Sequence, residues 1–376
     1  MGHGWRIGRI FGIDIRIDSS WLVIFILFSW SLAGTYFPRA FPGWTAGLSW
    51  AMGVLTSLLV FASVLFHELS HSLVAQRQGE KVASITLFIL GGVAQIGGEP
   101  KEPLKEFAMA VAGPLSSFVL AGAFLGIHLL LLGVSEPFAA SARYLAIINT
   151  GLGIFNLLPG FPMDGGRVLR SVIWKITGDI KKATRIASLS GQAFAFLLIF
   201  LGVARFLRGD FGGLWFILIG WFLQNASARG YEQVAVRSAL QGMKAKDLMT
   251  TDFETVPPGL PVERLVDEYI LRKKERVFLV TGLEGGLEGI ICLEDVKAMP
   301  REKWPSATVG EIMTPRDKLQ AVGPEADGNE ILARLTSGDV HQVPVMDGSR
   351  VAGIICRTDL LREIQLRNEL GIGEKR

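Results

Sequence analysis

The sequence predicts a polytopic α-helical membrane protein of about six spans with a short β-hairpin region, followed by a soluble α/β unit built as a tandem repeat. Three observations carry this. Apolar residues make up 49% of the 376 positions and charged residues 19%, yet the first 228 positions hold 28 Asp, Glu, Lys and Arg while the last 148 hold 45. Six apolar runs in the first part each reach the ~20 residues that a bilayer-crossing helix needs. The last part repeats itself at a fixed offset. The mean hydropathy of +0.38 is too high for an ordinary soluble enzyme. The length allows two or three domains, expected at 1–228 (membrane unit), 229–243 (linker), 244–300 (first repeat) and 301–376 (second repeat).

The elements follow in order. Ile13-Asp14-Ile15-Arg16-Ile17-Asp18 alternates as a strand does, which argues against a cleavable leader. The spans are expected at about 19–37, 47–76, 107–134, 139–158, 185–207 and 211–228. Thirteen Lys and Arg fall on one side of these spans (Arg6, Arg9 and Arg16, then residues 77–105, then residues 167–185). Four fall on the other, Arg39, Arg143, Arg205 and Arg208. By the positive-inside rule both termini and the repeat unit are cytoplasmic. A net charge of +3 gives no reason to expect nucleic acid. Two cysteines, Cys292 and Cys356, are too few for a disulfide scaffold and suit a reducing compartment. Disorder and a secreted fate are excluded.

The chemistry lies in the second span, in His67-Glu68-Leu69-Ser70-His71. Positions i and i+4 share a helix face, so both imidazoles can reach one metal with Glu68 beside them. Two His and a carboxylate, with the fourth place left to water, make a hydrolytic zinc site. Zinc brings the pKa of such a water to about 7, and a neighbouring Glu can move its proton. In soluble proteins the pattern alone is also met on plain surface helices. Inside an apolar run each charge costs about 2–3 kcal/mol or more, which argues against a packing role.

A third ligand is needed. Of the other histidines, His3 is N-terminal, His341 is in the repeat, and His128 lies in a Leu-rich run as an interface or lipid-edge residue. Asp164 remains, in Asn156-Leu157-Leu158-Pro159-Gly160-Phe161-Pro162-Met163-Asp164-Gly165-Gly166-Arg167. The topology drawn from Lys and Arg puts Asp164 at the depth of His67 and His71. Pro159 and Pro162 stop the fourth span. A turn residue in a Pro/Gly loop is the alternative for Asp164.

Between spans two and three, residues 84–96 alternate about Gly91-Gly92 and read as a hairpin, with the strand at 13–17 as a possible neighbour. One of its edges is expected either to accept an unwound substrate segment as an added strand or to serve only as packing. Ala112-Gly113-Pro114 reads as a close-packing or bend element without chemistry of its own.

In the last part Asp247-Leu248-Met249-Thr250 recurs as Glu311-Ile312-Met313-Thr314, and Gly289-Ile290-Ile291-Cys292 as Gly353-Ile354-Ile355-Cys356, both offset by 64. Asp295 and Asp359 keep that offset, each opening a helical stretch after an apolar strand.

The His67–His71 motif together with the Asn…Pro…Asp-Gly segment resembles the site-2 protease family of intramembrane zinc metalloproteases. The repeat resembles tandem cystathionine-β-synthase (CBS) modules, as in the prokaryotic subgroup that carries both. The resemblance implies an endopeptidase acting in or near transmembrane segments of regulatory membrane proteins, close to the cytoplasmic face. It implies one zinc per chain on His67, His71 and Asp164, with Glu68 as general base and acid. Asn156 would position substrate or hold the developing oxyanion, or else simply end its helix. Paired CBS modules imply an adenosine-nucleotide cleft with Asp295 and Asp359 on the ribose. Cys292 and Cys356 stand where a hydroxyl commonly bonds that ligand, and a thiol is a weak donor. The alternative is a dimerising or docking module with both Asp as helix caps. Expected partners are a membrane-protein substrate, the lipid bilayer and a second copy of the chain. A non-enzymatic CBS-bearing transporter or scaffold is the rival. The ionisable groups within the spans are gathered at one ligand set, which does not fit a transport path.

Overall fold

The computed structural model describes residues 4–89, 91–97, 102–240, 242–273, 275–282, 286–336, 342–348, 350–357 and 360. It divides into two compact units, 1–234 and 235–376.

The first unit opens with β1 (Trp5–Ile10) and β2 (Ile13–Ile17), turning at Phe11 and Gly12, both in the left-handed region. Asp18 then caps α1 (Ser19–Ser31), its carboxylate accepting from Ser20 N at 2.9 Å. A π-helical stretch (Leu32–Tyr36) and the short α2 (Phe37–Ala40) extend that rod. Thr45 caps α3 (Ala46–Arg77), which runs to β3 (Val82–Phe88) and β4 (Gly91–Ile96). Four helices follow: α4 (Pro103–Leu131), α5 (Glu136–Asn156), α6 (Asp164–Thr177) and α7 (Ile180–Leu207). α8 (Gly213–Leu240) comes last.

Five helical segments are long and apolar enough to cross a membrane: 19–40, 46–77, 103–131, 136–156 and 180–207. They coincide with the first five expected spans. The sixth expected span is helical within α8 but is not among the five, because its apolar run stops at Gln224-Asn225. Residues 229–240, expected as linker, continue α8. Small residues fill the contacts between these helices, such as Ser49, Gly53, Thr56 and Ser57 of α3 and Ala139–Ala142 of α5. Large apolar side chains point outward, with Leu130 79% and Phe200 69% exposed. That is the inverse of a soluble protein and suits a hydrocarbon solvent.

The four strands form one sheet in the order β1-β2-β3-β4. β2 runs parallel to β3, with Asp14 opposite Ser84 and Ile17 opposite Leu87, so the expected neighbour of the hairpin is present. Ile13, Ile15, Val82 and Ile85 bury one sheet face against Leu69 and Ala75 of α3 and Met109 of α4. Alternation at period two therefore anchors the sheet to the two helices that carry the site.

The second unit interlocks two copies of one motif. The first copy runs through α9 (Ala245–Leu248), β5 (Glu254–Val256), α10 (Val262–Arg264, continued by a π-helical turn to Leu271), β6 (Val277–Thr281), β7 (Leu287–Cys292) and α11 (Leu293–Ala298). The second runs through α12 (Val309–Ile312), β8 (Thr314–Pro315), α13 (Gly328–Thr336), β9 (Gln342–Asp347) and β10 (Arg350–Cys356). The offset of 64 is kept in space: Thr314 bridges Ile290 while Thr250 bridges Ile354. A Cβ on Gly289 or Gly353 would strike Met313 or Met249 respectively. Each copy borrows core from the other. Leu240, Met243 and Ala245 pack with Val343, Val345 and Ile355, and Ala307 and Val309 pack with Phe278, Val280 and Ile291.

Candidate metal centre

α3 and α4 are long because their sequences are mostly apolar and no loop-forming stretch interrupts them, although α4 carries Pro114 within it. On α3, the i, i+4 spacing turns His67 and His71 to the same buried face, at 4% and 5% exposure. Their Nε2 atoms are 3.2 Å apart. Asp164, the first residue of α6, directs Oδ2 to 3.1 Å from both. Three donors from two distant segments thus converge on one point.

The other ring nitrogens decide what these donors can do. His71 Nδ1 lies 2.7 Å from the carbonyl of Met109, which can only accept, so this nitrogen carries the proton and, in the neutral ring, leaves Nε2 as the one able to bind a metal. His67 Nδ1 is 2.9 Å from Ser117 Oγ. Nε2 of His67, Nε2 of His71 and Oδ2 of Asp164 lie 3.1–3.2 Å apart, so they can share one cation in place of the protons that would otherwise bridge them. Zinc bonds of about 2.0–2.1 Å in a tetrahedron place donors about 3.3 Å apart, close to the spacings observed. The centre also needs room on its α4 side. Gly113 supplies it, since a Cβ there would overlap His71 Nε2 and stand 2.6 Å from His67 Nε2. The donor set and the cradle fit a small divalent metal.

Glu106, Met109, Gly113 and Ser117 recur at helical spacing, so one stripe of α4 serves the whole centre. α6 starts at Asp164 because Gly165 and Gly166 permit close approach. A Cβ on Gly166 would stand 2.4 Å from Phe161 N, and one on Gly165 would meet the carbonyls of Leu157 and Leu158. Glu68 is half-buried beside the imidazoles, and its side chain lies against β4: a Cβ on Gly92 would be 2.5 Å from Glu68 Cγ.

The profile of Peptidase family M50 matches residues 55–141 and 134–200, across both motifs, and that of the CBS domain matches 245–300 and 309–366. Sll0528 of Synechocystis sp. is 36% identical over 97% of this chain and 96% of its own length. Rip3 of Mycobacterium tuberculosis is 35% identical over 96% and 92%. Zinc metalloprotease MJ0392 of Methanocaldococcus jannaschii is 32% identical over 98% and 99%. The chain belongs to peptidase family M50. It is a zinc metalloprotease of the site-2 protease type with a tandem CBS unit.

Within this M50 chain the remaining expected residues fall as follows. Asn156 is the last residue of α5, half-buried, and its side chain makes no hydrogen bond to another described residue. Seven residues earlier on the same face, Asn149 is fully buried and donates to Ser63 Oγ at 3.2 Å, one turn from His67. His128 Nδ1 bonds the Ala139 carbonyl at 2.8 Å, an α4–α5 contact apart from the centre.

Asp295 accepts from Cys292 N at 2.8 Å and from Cys292 Sγ at 2.9 Å, the capping arrangement at the start of α11. Burial, then the Asp295 carboxylate, push the Cys292 thiol up to about 12. Asp359 and His341 lie outside the described residues. A cleft of about 870 Å³ in this unit is lined by Thr255, Thr281 and Glu288 among others, and neither Asp295 nor Cys292 is among its lining residues.

The sequence reasoning missed Ser117, Met109 and Asn149. Met109 acts through its carbonyl and has no side-chain signal. Ser117 and Asn149 are polar residues in apolar runs, which is a usable signal inside a membrane span.

Proposed function

We propose that this metalloprotease is an intramembrane endopeptidase cutting peptide bonds in or near transmembrane segments of regulatory membrane proteins, close to the cytoplasmic face. The observation that carries it is three donor atoms within 3.2 Å of one another among helices fit to cross a bilayer. His67, His71 and Asp164 hold one zinc per chain. When bound, zinc supplies a Lewis acid that polarises the scissile carbonyl and eases deprotonation of water. Glu68 takes the proton of the attacking water on a carboxylate oxygen and passes it to the leaving amine. Asn156 Nδ2 donates to the carbonyl oxygen as charge develops there. Met109 O and Ser117 Oγ fix the ring orientations.

Helical peptide bonds are shielded by their own hydrogen bonds, so the substrate must unwind. β4 pairs only with β3 among the described strands, and its Gly92 touches Glu68. Its open edge receives the unwound segment as an added strand, beside the group that moves the proton. Gly92→Pro or Ala94→Pro with cleavage unchanged would count against this. Along α3, His71 and His67 stand about 9 and 15 Å from Arg77. With Arg77 at the cytoplasmic boundary, both termini and the CBS unit are cytoplasmic and the centre lies in the inner leaflet. We assign the CBS pair a bracing and dimerising role in regulation, because Oδ2 of Asp295 is occupied by its own helix.

Metal content per chain in detergent-purified protein tests the centre. About one zinc is expected in wild type, lost in Asp164→Ala and kept in Glu68→Gln, whose cleavage of a membrane substrate is abolished. Full zinc loading in Asp164→Ala would remove the ligand assignment. No metal in wild type after zinc is supplied would favour a scaffold.

A further inference from the structure

Glu106, in the first turn of α4, is fully buried, and Arg170 on α6 is 5% exposed. Arg170 Nε donates to Glu106 Oε1 at 2.7 Å, and its Nη2 donates to the same oxygen. Arg167 Nε, one turn nearer Asp164, stands 3.8 Å from that oxygen. The Arg170 guanidinium also covers the ring of Phe161, 5.2 Å from its centroid, on the segment that leads into α6. Apolar side chains of similar volume often pack as stably as a buried ion pair, so packing alone does not account for this one.

Its place in the helices does. Glu106 heads the same α4 stripe as Met109, Gly113 and Ser117, and Arg170 shares α6 with Asp164. Along α4 the ion pair is about 10.5 Å from Gly113, and along α6 it is about 9 Å from Asp164. The two helices therefore meet at two points of matched spacing, the ion pair and the metal centre. We propose that Glu106 and Arg170 are positioning residues that set the register of α6 on α4 and so deliver the Asp164 carboxylate to His67 and His71. The bidentate-capable fork of Arg170 fixes direction as well as distance, and ligand placement tolerates only about 0.5 Å.

This inference rests on the zinc reading above, and its test separates the two. Zinc affinity of the full-length protein is measured by competition with a chromophoric chelator. The forms compared are wild type, Arg170→Met, Glu106→Gln, the paired replacement Glu106→Leu/Arg170→Met, Asp164→Ala and Arg170→Met/Asp164→Ala. The melting midpoint of each zinc-stripped form is recorded alongside. A wild type that takes up no zinc overturns the metal reading itself. Given zinc in wild type, Arg170→Met and Glu106→Gln are expected to bind at least tenfold more weakly and to melt lower, since each leaves a buried charge unpaired, whereas Glu106→Leu/Arg170→Met is expected to melt near wild type and still to bind at least tenfold more weakly. Arg170→Met should add nothing to Asp164→Ala, because the carboxylate through which it acts is gone. Unchanged affinity in Glu106→Leu/Arg170→Met, a further loss on adding Arg170→Met to Asp164→Ala equal to the loss in wild type, or a paired replacement whose lost affinity merely follows lowered melting would each overturn the proposal.

Discussion

Asp164 and Asp295 both sit in the first turn of a helix, and they do opposite things. Asp295 turns back onto its own helix, where the backbone and thiol of Cys292 occupy Oδ2. Asp164 turns away from α6 and spends Oδ2 on two imidazoles from another helix. The difference lies in what surrounds each. At α11 a local donor three residues back is always within reach, so capping wins without tertiary help. At α6 the residues behind Asp164 are a glycine- and proline-rich turn pressed against α6 and α7. The carboxylate there is aimed by helix packing. The fold takes the donor three residues back, Phe161 N, to the carbonyl of Ala187 and brings two imidazoles to Asp164 in its place.

The largest way to break that contrast is to fill the space on the ligand side. Gly113→Ala would put a methyl group onto both Nε2 atoms. Zinc should be lost and proteolysis should fall at least about 10²-fold, measured by metal content and turnover of a membrane substrate. Ser117→Ala removes only the partner of His67 Nδ1. Metal affinity should drop about 10- to 100-fold with the ligand set intact, as read by chelator competition.

On the capping side, Asp295→Ala should cost about 1 kcal/mol of stability in the second unit and leave zinc content unchanged. Thermal melting beside metal analysis checks this. A change in zinc content would mean that the two carboxylates are not independent. A further effect concerns pH. With its pKa raised from 9.0 to about 12, the Cys292 thiol keeps its proton in the folded chain after the unfolded chain has lost it. Stability of this unit should fall as pH rises from 9 toward 12, and Cys292→Ser should flatten that slope. Below pH 9 the thiol should alkylate slowly, and faster in Asp295→Ala.

Much of the centre was legible before any coordinates because its chemistry is written in side chains. The i, i+4 histidines need only helical periodicity. Alternation marked residues 13–17 and the hairpin as strands and made them possible neighbours, while the parallel pairing itself is set by packing on α3 and α4. The repeat offset of 64 was legible, whereas the bridges that repeat it, Thr250–Ile354 and Thr314–Ile290, had no signal of their own. What stayed hidden was backbone work and space. α6 carries two consecutive glycines, poor helix formers, directly after Asp164, so its start read as loop. In the structure those glycines are what let it approach Leu157–Phe161. The Met109 carbonyl has no sequence signature. Gly113 read correctly as a place for close approach, but nothing in the sequence said that imidazoles would approach it. Residues 229–240 carry charges like a linker and yet continue α8, because charge does not stop a helix when no proline intervenes.

The exchanged core segments of the second unit have a consequence for how it can be divided. A fragment holding residues 244–300 would lose Ala307 and Val309, and one holding 301–376 would lose Leu240 and Met243. Neither half could close its own interior. Each would show an apolar slot shaped for a segment it lacks, and the ready filler would be the equivalent segment of a second fragment. The pair is thus the smallest heritable piece, and a break near residue 300 would yield intertwined aggregates in place of two smaller folded proteins.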